Sequence, residues 1–374
     1  KNILIIILFL LYPTKLLSVT LSEALNQAYK SNSELNAERE NANASKQDFN
    51  ISKSEFLPSV TILGSKSSQD TSKLTNQDGS NATISDVNPE TKSIKIEQKI
   101  FQGLGGVADY KKNQLGMEVA DAKLLKVEQN TLLKAVEAFS GAIYANEKFK
   151  IYQKNLNLIE RQVEMDQIRL ERGQVSVADL AQSESSLAEA EAKFIQSKND
   201  VVTAKLNYEN IIGPINDTFD LKKELNINLK IPISLENAIF LSKKNNPDLI
   251  ISRLEFEQSE KDIQIAQSDL APSATLSFET KETDDLSSTY DQQDTETIEA
   301  TIKWPIFSGG KNYANLSKSK NLRNRKKLLY ENAIKLNDTN VASAWSSLQS
   351  SKSVLEAIKL QVKAAEIANE GIIA

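Results

Sequence analysis

Arg169-Leu170-Glu171-Arg172-Gly173-Gln174-Val175-Ser176-Val177-Ala178-Asp179-Leu180 is the one break in a run, Leu104 to Ile212, that contains no proline. Past Gly106 the only glycines in that run are Gly116, Gly141 and Gly173, so helix can persist on either side of the break. Gly173 can end one helix in a left-handed conformation, and Ser176 with Asp179 can cap the next. The spacing predicts two helices joined by a tight turn at residues 172–176. Unbroken from Gly106 to Glu171, the first would be on the order of 100 Å long. The second carries large apolar residues at every seventh position, Leu180, Leu187, Phe194, Val201 and Tyr208, each but the last followed three residues on by Ser183, Ala190, Ser197 or Ala204. That is a coiled-coil seam. A second apolar column, Ala181, Ala188, Ile195 and Val202, predicts a helix that touches neighbours on two sides.

Composition fits a helix-rich, extended architecture better than a thick core: of 374 residues 40% are hydrophobic and only 6% aromatic, with net charge −5. There is no cysteine and no histidine. Disulfides, zinc sites built on those residues, histidine bases and cysteine nucleophiles are therefore excluded. No basic stripe with interleaved aromatics suggests nucleic acid, and the cluster Arg323-Asn324-Arg325-Lys326-Lys327 reads as a solvated helix face.

Lys1-Asn2, the nine apolar residues Ile3 to Leu11 and the small residue Ser18 have the three parts of a secretory signal, expected over residues 1–18. The apolar run is short for a membrane-spanning helix, and a retained anchor is the alternative. The mature chain is expected to begin near Val19, outside the cytoplasm.

The rest of the chain repeats itself. Thr20-Leu21-Ser22-Glu23-Ala24-Leu25 resembles Ser234-Leu235-Glu236-Asn237-Ala238-Ile239, and Leu57-Pro58 resembles Ala271-Pro272, both at an offset of 214. Ile100-Phe101-Gln102-Gly103 matches Ile306-Phe307-Ser308-Gly309 at an offset of 206, so a loop between proline and glycine differs in length. We expect a first repeat over residues 19–213, a linker over 214–233 and a second repeat over 234–374. Each opens on a short capped helix, with Thr20 and Glu23 as one capping box and Ser31 and Glu34 as another. A longer helix follows until proline stops it, near Phe56 and near Leu270.

Beyond each proline the period changes from helix to strand. Val60 and Ile62 alternate with Ser59 and Thr61, and Ala274, Leu276 and Phe278 with Ser273, Thr275 and Ser277. Return strands place Ile94, Ile96 and Ile100 against Lys95, Glu97 and Lys99, and Ile298, Ile302 and Ile306 against Glu299 and Lys303. Strand pairs are thus expected at about 58–101 and 272–307, around polar loops Ser65 to Glu90 and Thr283 to Asp294. One apolar and one charged face fit a transmembrane barrel with a wet interior, or a soluble hairpin resting on helices. The secretory start and the aromatics Phe101, Trp304 and Phe307 at the strand ends favour the barrel. Four strands cannot close around water, so several chains must share one.

These residues together resemble the TolC family of bacterial outer-membrane efflux proteins. The resemblance runs from about Thr20 to the end of the sequence. It rests on the twofold repeat, the Leu57-Pro58 and Ala271-Pro272 helix stops, the strand end Trp304-Pro305-Ile306-Phe307-Ser308-Gly309-Gly310 and the turn at Gly173, where Leu170 replaces the family's aromatic. It implies a mainly helical fold with transmembrane β structure: a homotrimer in the outer membrane, each protomer giving four strands to a shared twelve-stranded β-barrel. Its long antiparallel coiled-coil helices would form a hollow α-barrel extending into the periplasm. The implied partners are a periplasmic adaptor protein, an inner-membrane transporter and outer-membrane lipid, with no nucleic acid and no cofactor.

On that resemblance Gly173, Gln174, Val175, Ser176 and Asp179 would meet the adaptor at the periplasmic tip, with helix capping as the plainer role of Asp179. Lys95, Glu97, Lys99, Glu299 and Lys303 would line the barrel lumen, and Phe101, Trp304 and Phe307 the membrane interface. Phe139, Tyr144 and Trp345 are expected to pack between helices. By the 206 offset, Ala374 corresponds to Ile168, so the second repeat stops one residue before its own turn should begin, and we expect a fragment whose gate residues lie beyond it. The function expected is a passive exit duct of a tripartite efflux or type I secretion system, without catalytic or metal-binding residues. The alternative is a secreted trimeric coiled-coil stalk or adhesin, which needs no amphipathic strand pairs.

Overall fold

The computed structural model describes residues 18–82, 84, 86–215, 221–223, 230–287 and 289–373. Residues 1–17 of the expected signal, and residues 216–220 and 224–229 of the expected linker, lie outside the described residues. In chain order the elements are α1 (Leu21–Ser31), α2 (Ser33–Ser54), β1 (Ser59–Lys66), β2 (Glu90–Gln102), α3 (Gly105–Glu171), α4 (Val177–Ile211), α5 (Leu235–Asn245), α6 (Pro247–Ser268), β3 (Ser273–Asp284), β4 (Gln292–Lys303) and α7 (Lys311–Ile373). They fall into two compact units. The first takes the described residues of Lys1–Glu40 and Leu124–Ile231, the second those of Asn41–Lys123 and Pro232–Ala374.

Local chemistry explains where the helices begin. The Thr20 hydroxyl accepts from the Glu23 amide at 3.2 Å while the Glu23 carboxylate accepts from the Thr20 amide at 2.8 Å, the expected capping box. The second expected box does not form. Only Asn32 separates α1 from α2, and its own side chain accepts from the Leu35 amide at 3.1 Å. Ser31 is still inside α1, so its hydroxyl donates back to the Gln27 carbonyl at 2.7 Å. The same arrangement recurs at Asn246, between α5 and α6, where the amide oxygen accepts from Asp248 at 2.9 Å.

In the first unit, α1 packs on α3 and α4 through a core of Leu21, Ala24, Ala28, Ala135, Ala138, Phe139, Ala142, Tyr208 and Ile212. Small residues let the backbones approach; Phe139 and Tyr208 fill the space, their rings 6.5 Å apart. Along α4 the buried positions are Leu180, Ser183, Ala190, Ser197 and Tyr208, and Phe194 stacks on Phe149 of α3 at 5.4 Å. The seam is as expected, with Ser183, Ala190 and Ser197 more deeply buried than Leu187 or Val201. The second column is uncovered: Ala181, Ala188, Ile195 and Val202 are all exposed. Tyr144, expected between helices, is 68% exposed, whereas Phe139 is fully buried and Trp345 half-buried.

In the second unit the four strands form one antiparallel sheet in the order β1-β2-β3-β4. The strands are longer at their loop ends than the sequence pattern indicated, because Thr283 pairs with Gln293 and Asp284 with Gln292. Backbone hydrogen bonds form there regardless of side-chain polarity, which the apolar alternation could not register. The helices follow the sheet's order. Phe49 of α2 meets Tyr110 of α3 at 5.1 Å, Lys112 of α3 pairs with Asp262 of α6 at 2.8 Å, and Glu255 of α6 pairs with Lys326 of α7 at 2.7 Å. Hence α2 and β1 are the outer pair on one flank, and α7 and β4 on the other.

Candidate passage and helical turn

The sheet has two chemically distinct faces. Directly paired residues share a face: the row Val60, Ile96, Phe278, Ile298 is apolar, and the next, Gln98, Leu276, Ala300, is apolar apart from Gln98. Among the described residues nothing covers them: Val60 is 64% and Ile298 77% exposed. The opposite face carries Thr61, Lys95, Glu279, Thr297 in one row and Ser59, Glu97, Ser277, Glu299 in the next. Lys95 and Glu97 form an ion pair at 3.0 Å, and the Thr301 hydroxyl donates to Glu299 at 2.9 Å. Lys99 and Lys303 continue this face, so the five residues expected to line a lumen lie on one side of one sheet.

A bulge re-aims the aromatic end of β2. The register shifts between Lys99 and Phe101, leaving Ile100 as the extra residue and setting Phe101 opposite Ala274 on the apolar face. Expected alternation through Ile100 therefore fails, and the bulge is the reason. Trp304 follows β4 directly and its indole nitrogen donates to the Leu270 carbonyl at 3.1 Å, while Phe307 is exposed beyond it. The three aromatics gather at the sheet end nearest the helices.

At that end the polar face runs into a cleft of about 690 Å³ lined by Glu55, Asp109, Asp269, Lys303, Lys311 and Asn312, among others. Lys99 pairs with Glu55, and this ammonium holds the Glu55 carboxyl below the usual carboxylate range. The Asn312 side chain donates to the Asp269 carbonyl at 2.6 Å, tying the start of α7 to the end of α6. Of these, Lys99 and Lys303 were expected at the lumen; Glu55, Asp109, Asp269, Lys311 and Asn312 were not singled out from the sequence. The signal was available, since each stands within a few residues of a helix stop or of the Gly103 or Gly309 turn.

The turn between α3 and α4 closes as its residues dictate. Gly173 has φ of +69°, its amide donates to the Leu170 carbonyl at 2.8 Å, and the Gln174 amide donates to Arg169 at 2.8 Å. This double bond pattern ends a helix on a left-handed glycine. Ser176 then opens α4: its amide donates to the Asp179 carboxylate at 2.8 Å and its hydroxyl accepts from the Asp179 amide at 3.2 Å. The Ser176 amide, and then its hydroxyl, hold the Asp179 carboxyl below the usual range. Behind the turn the Ser183 hydroxyl donates to Asp166 at 2.6 Å, bracing α4 against α3. Gln174, Ser176 and Asp179 are exposed and Val175 is half-buried.

A profile of the outer membrane efflux protein family matches residues 24–214 and 239–370. The chain belongs to that family. As an outer membrane efflux protein its place is the bacterial outer membrane, and the resemblance to TolC-type proteins stands. The outer membrane efflux protein BepC of Brucella suis biovar 1 is 24% identical over 359 residues, covering 96% of this chain and 76% of BepC. The alkaline protease secretion protein AprF of Pseudomonas aeruginosa is 22% identical over 59% of this chain, a match that spans 47% of AprF. Among solved structures, the open state of the Neisseria gonorrhoeae MtrE outer membrane channel superposes with a TM-score of 0.75 at 17% identity, over 92% of this chain and 77% of MtrE. That likeness shows a shared fold. Among the described residues of this outer membrane efflux protein no helix is long and apolar enough to cross a membrane.

Proposed function

We propose that copies of this chain join their sheets into one barrel across the outer membrane, and that the barrel is the exit duct of a tripartite efflux or type I secretion system. One observation carries the reading: a four-stranded sheet with two free edges keeps its apolar face uncovered and its charged face continuous with a polar cleft. Exposed edge strands and bare apolar faces are liabilities in water. In lipid, with β4 of one copy beside β1 of the next, both are satisfied. Three copies would give twelve strands, and Lys95, Glu97, Lys99, Glu299 and Lys303 would then face water inside. Phe101, Trp304 and Phe307 would sit at the periplasmic interface.

The duct does no chemistry and is passive; energy comes from an inner-membrane transporter reached through a periplasmic adaptor. Residues 19–213 and 234–374 act as two versions of one structural unit, joined by the linker over 214–233. Gly173, Gln174, Val175, Ser176 and Asp179 form the adaptor-facing turn, and the bare column Ala181, Ala188, Ile195 and Val202 packs on a further helix of the assembly. BepC by name belongs to efflux and AprF to protease secretion, which is why both cargo routes are carried here. A secreted stalk would share the heptads but has no use for an apolar-faced sheet. Reconstitution of the full-length protein in planar bilayers tests the reading: stepwise ion conductance is expected, and a folded protein that inserts without conducting would refute it.

A further inference from the structure

We infer that the seam between neighbouring copies is keyed by an ion pair between Asp48 on α2 of one copy and Lys318 on α7 of the next. The inference rests on the shared-barrel reading above and adds to it the residues that set the fit. Three ion pairs join neighbouring helices of the second unit: Lys112 with Asp262, Arg323 with Glu260 at 3.3 Å, and Lys326 with Glu255. The outermost helices also carry charges with no such partner. Asp48 and Lys318 are exposed and have no ion partner among the described residues.

Their positions correspond. Because α2 leads into the edge strand β1 and α7 leaves the edge strand β4, joining those edges brings α2 of one copy beside α7 of the next, running antiparallel. Glu55, one residue past the end of α2, and Lys311, the first residue of α7, both line the polar cleft, and Asp48 and Lys318 each stand seven residues, about two helical turns, away from them. Asp48 lies six residues from the strand-side end of α2 and Lys318 seven residues from that of α7. At about 1.5 Å per residue these are rises of about 9 and about 10 Å, so the two charges come level. Lys318 thus meets an acid of the second copy at the cleft-side margin of the seam. A surface pair of this kind fixes register and rejects wrong alignments more than it adds affinity.

Charge reversal tests the pairing in the full-length protein in mild detergent, read as the trimer remaining on dilution. Asp48→Lys and Lys318→Asp should each lower the trimer's resistance to dilution about tenfold, since each sets like charges together, and the double variant should recover most of the loss. With a wild type that is trimeric and conducting, single reversals without effect, or a double variant no better than the singles, would overturn the pairing and leave the duct reading intact. A monomeric, non-conducting wild type would overturn both. Should a reversal fail to fold, the pair Asp48→Cys and Lys318→Cys provides a second route, because the chain has no cysteine of its own. A short bifunctional maleimide should then link copies into a ladder on a denaturing gel. Linkage no greater than in either single-cysteine protein would contradict the proposed seam.

Discussion

At Gly103 an added Cβ would stand 2.6 Å from the Ala271 Cβ and 2.9 Å from the Ser268 carbonyl oxygen, with φ at +56°. Both the close approach and the left-handed backbone require glycine where β2 turns into α3. Gly103→Ala is expected to lower stability by about 2 kcal/mol, with strain and overpacking together. Gly64→Ala, where nothing lies within 4 Å, should stay within about 0.5 kcal/mol. Denaturant unfolding in detergent compares them. Asp179 makes a pH-dependent contribution at the turn. Its folded pKa is depressed by Ser176, so its stabilisation is complete above the ordinary aspartate value of about 3.9 and is lost as pH falls through the lower folded value. Amide exchange at residues 177–180 should therefore lose protection in that acidic window, and Asp179→Asn should remove the pH dependence. Unchanged protection through the window would show that the carboxylate does not hold the cap.

Single strands and helices differ in how plainly the sequence declares them. Residues 104–212 read as two helices and a turn because proline is absent and heptads persist, and α3 and α4 follow that reading closely. The strands were legible through alternation, but their loop ends were not, since Thr283, Asp284 and Gln292 pair without an apolar face. The bulge at Ile100 was hidden for a different reason: a run of Ile, Phe and Gln carries no sign of an extra residue. The α1–α2 junction was misread because Ser31 with Glu34 fits a capping pattern that Asn32, the sole linking residue, pre-empts. Candidate lumen positions could be read one by one, yet the cleft they lead into forms only when α2, α3, α6 and α7 come together. The sheet's faces give a direct test. Ile298→Arg puts a charge on the bare face and should cost about 2–4 kcal/mol in lipid, removing the protein from the outer-membrane fraction. Glu299→Gln, one residue on and on the other face, should leave insertion unchanged. Equal insertion of both variants would mean that the apolar face does not meet lipid.

Among the described residues β1 and β4 are free edges that leave the sheet incomplete, and the exposed column on α4 leaves a helix face without a neighbour. Both are resolved if the working molecule is a closed ring of identical copies, which a heterologous edge-to-edge contact produces when its rotation closes. A ring also explains how a chain with 6% aromatic residues and a core largely of alanine can be stable, since much of its apolar surface would be buried between copies. The most direct measurement is the mass of the full-length protein in mild detergent by light scattering, with bound detergent subtracted. The account predicts three chains per particle; a particle of one chain, its sheet edges unpaired, would contradict it.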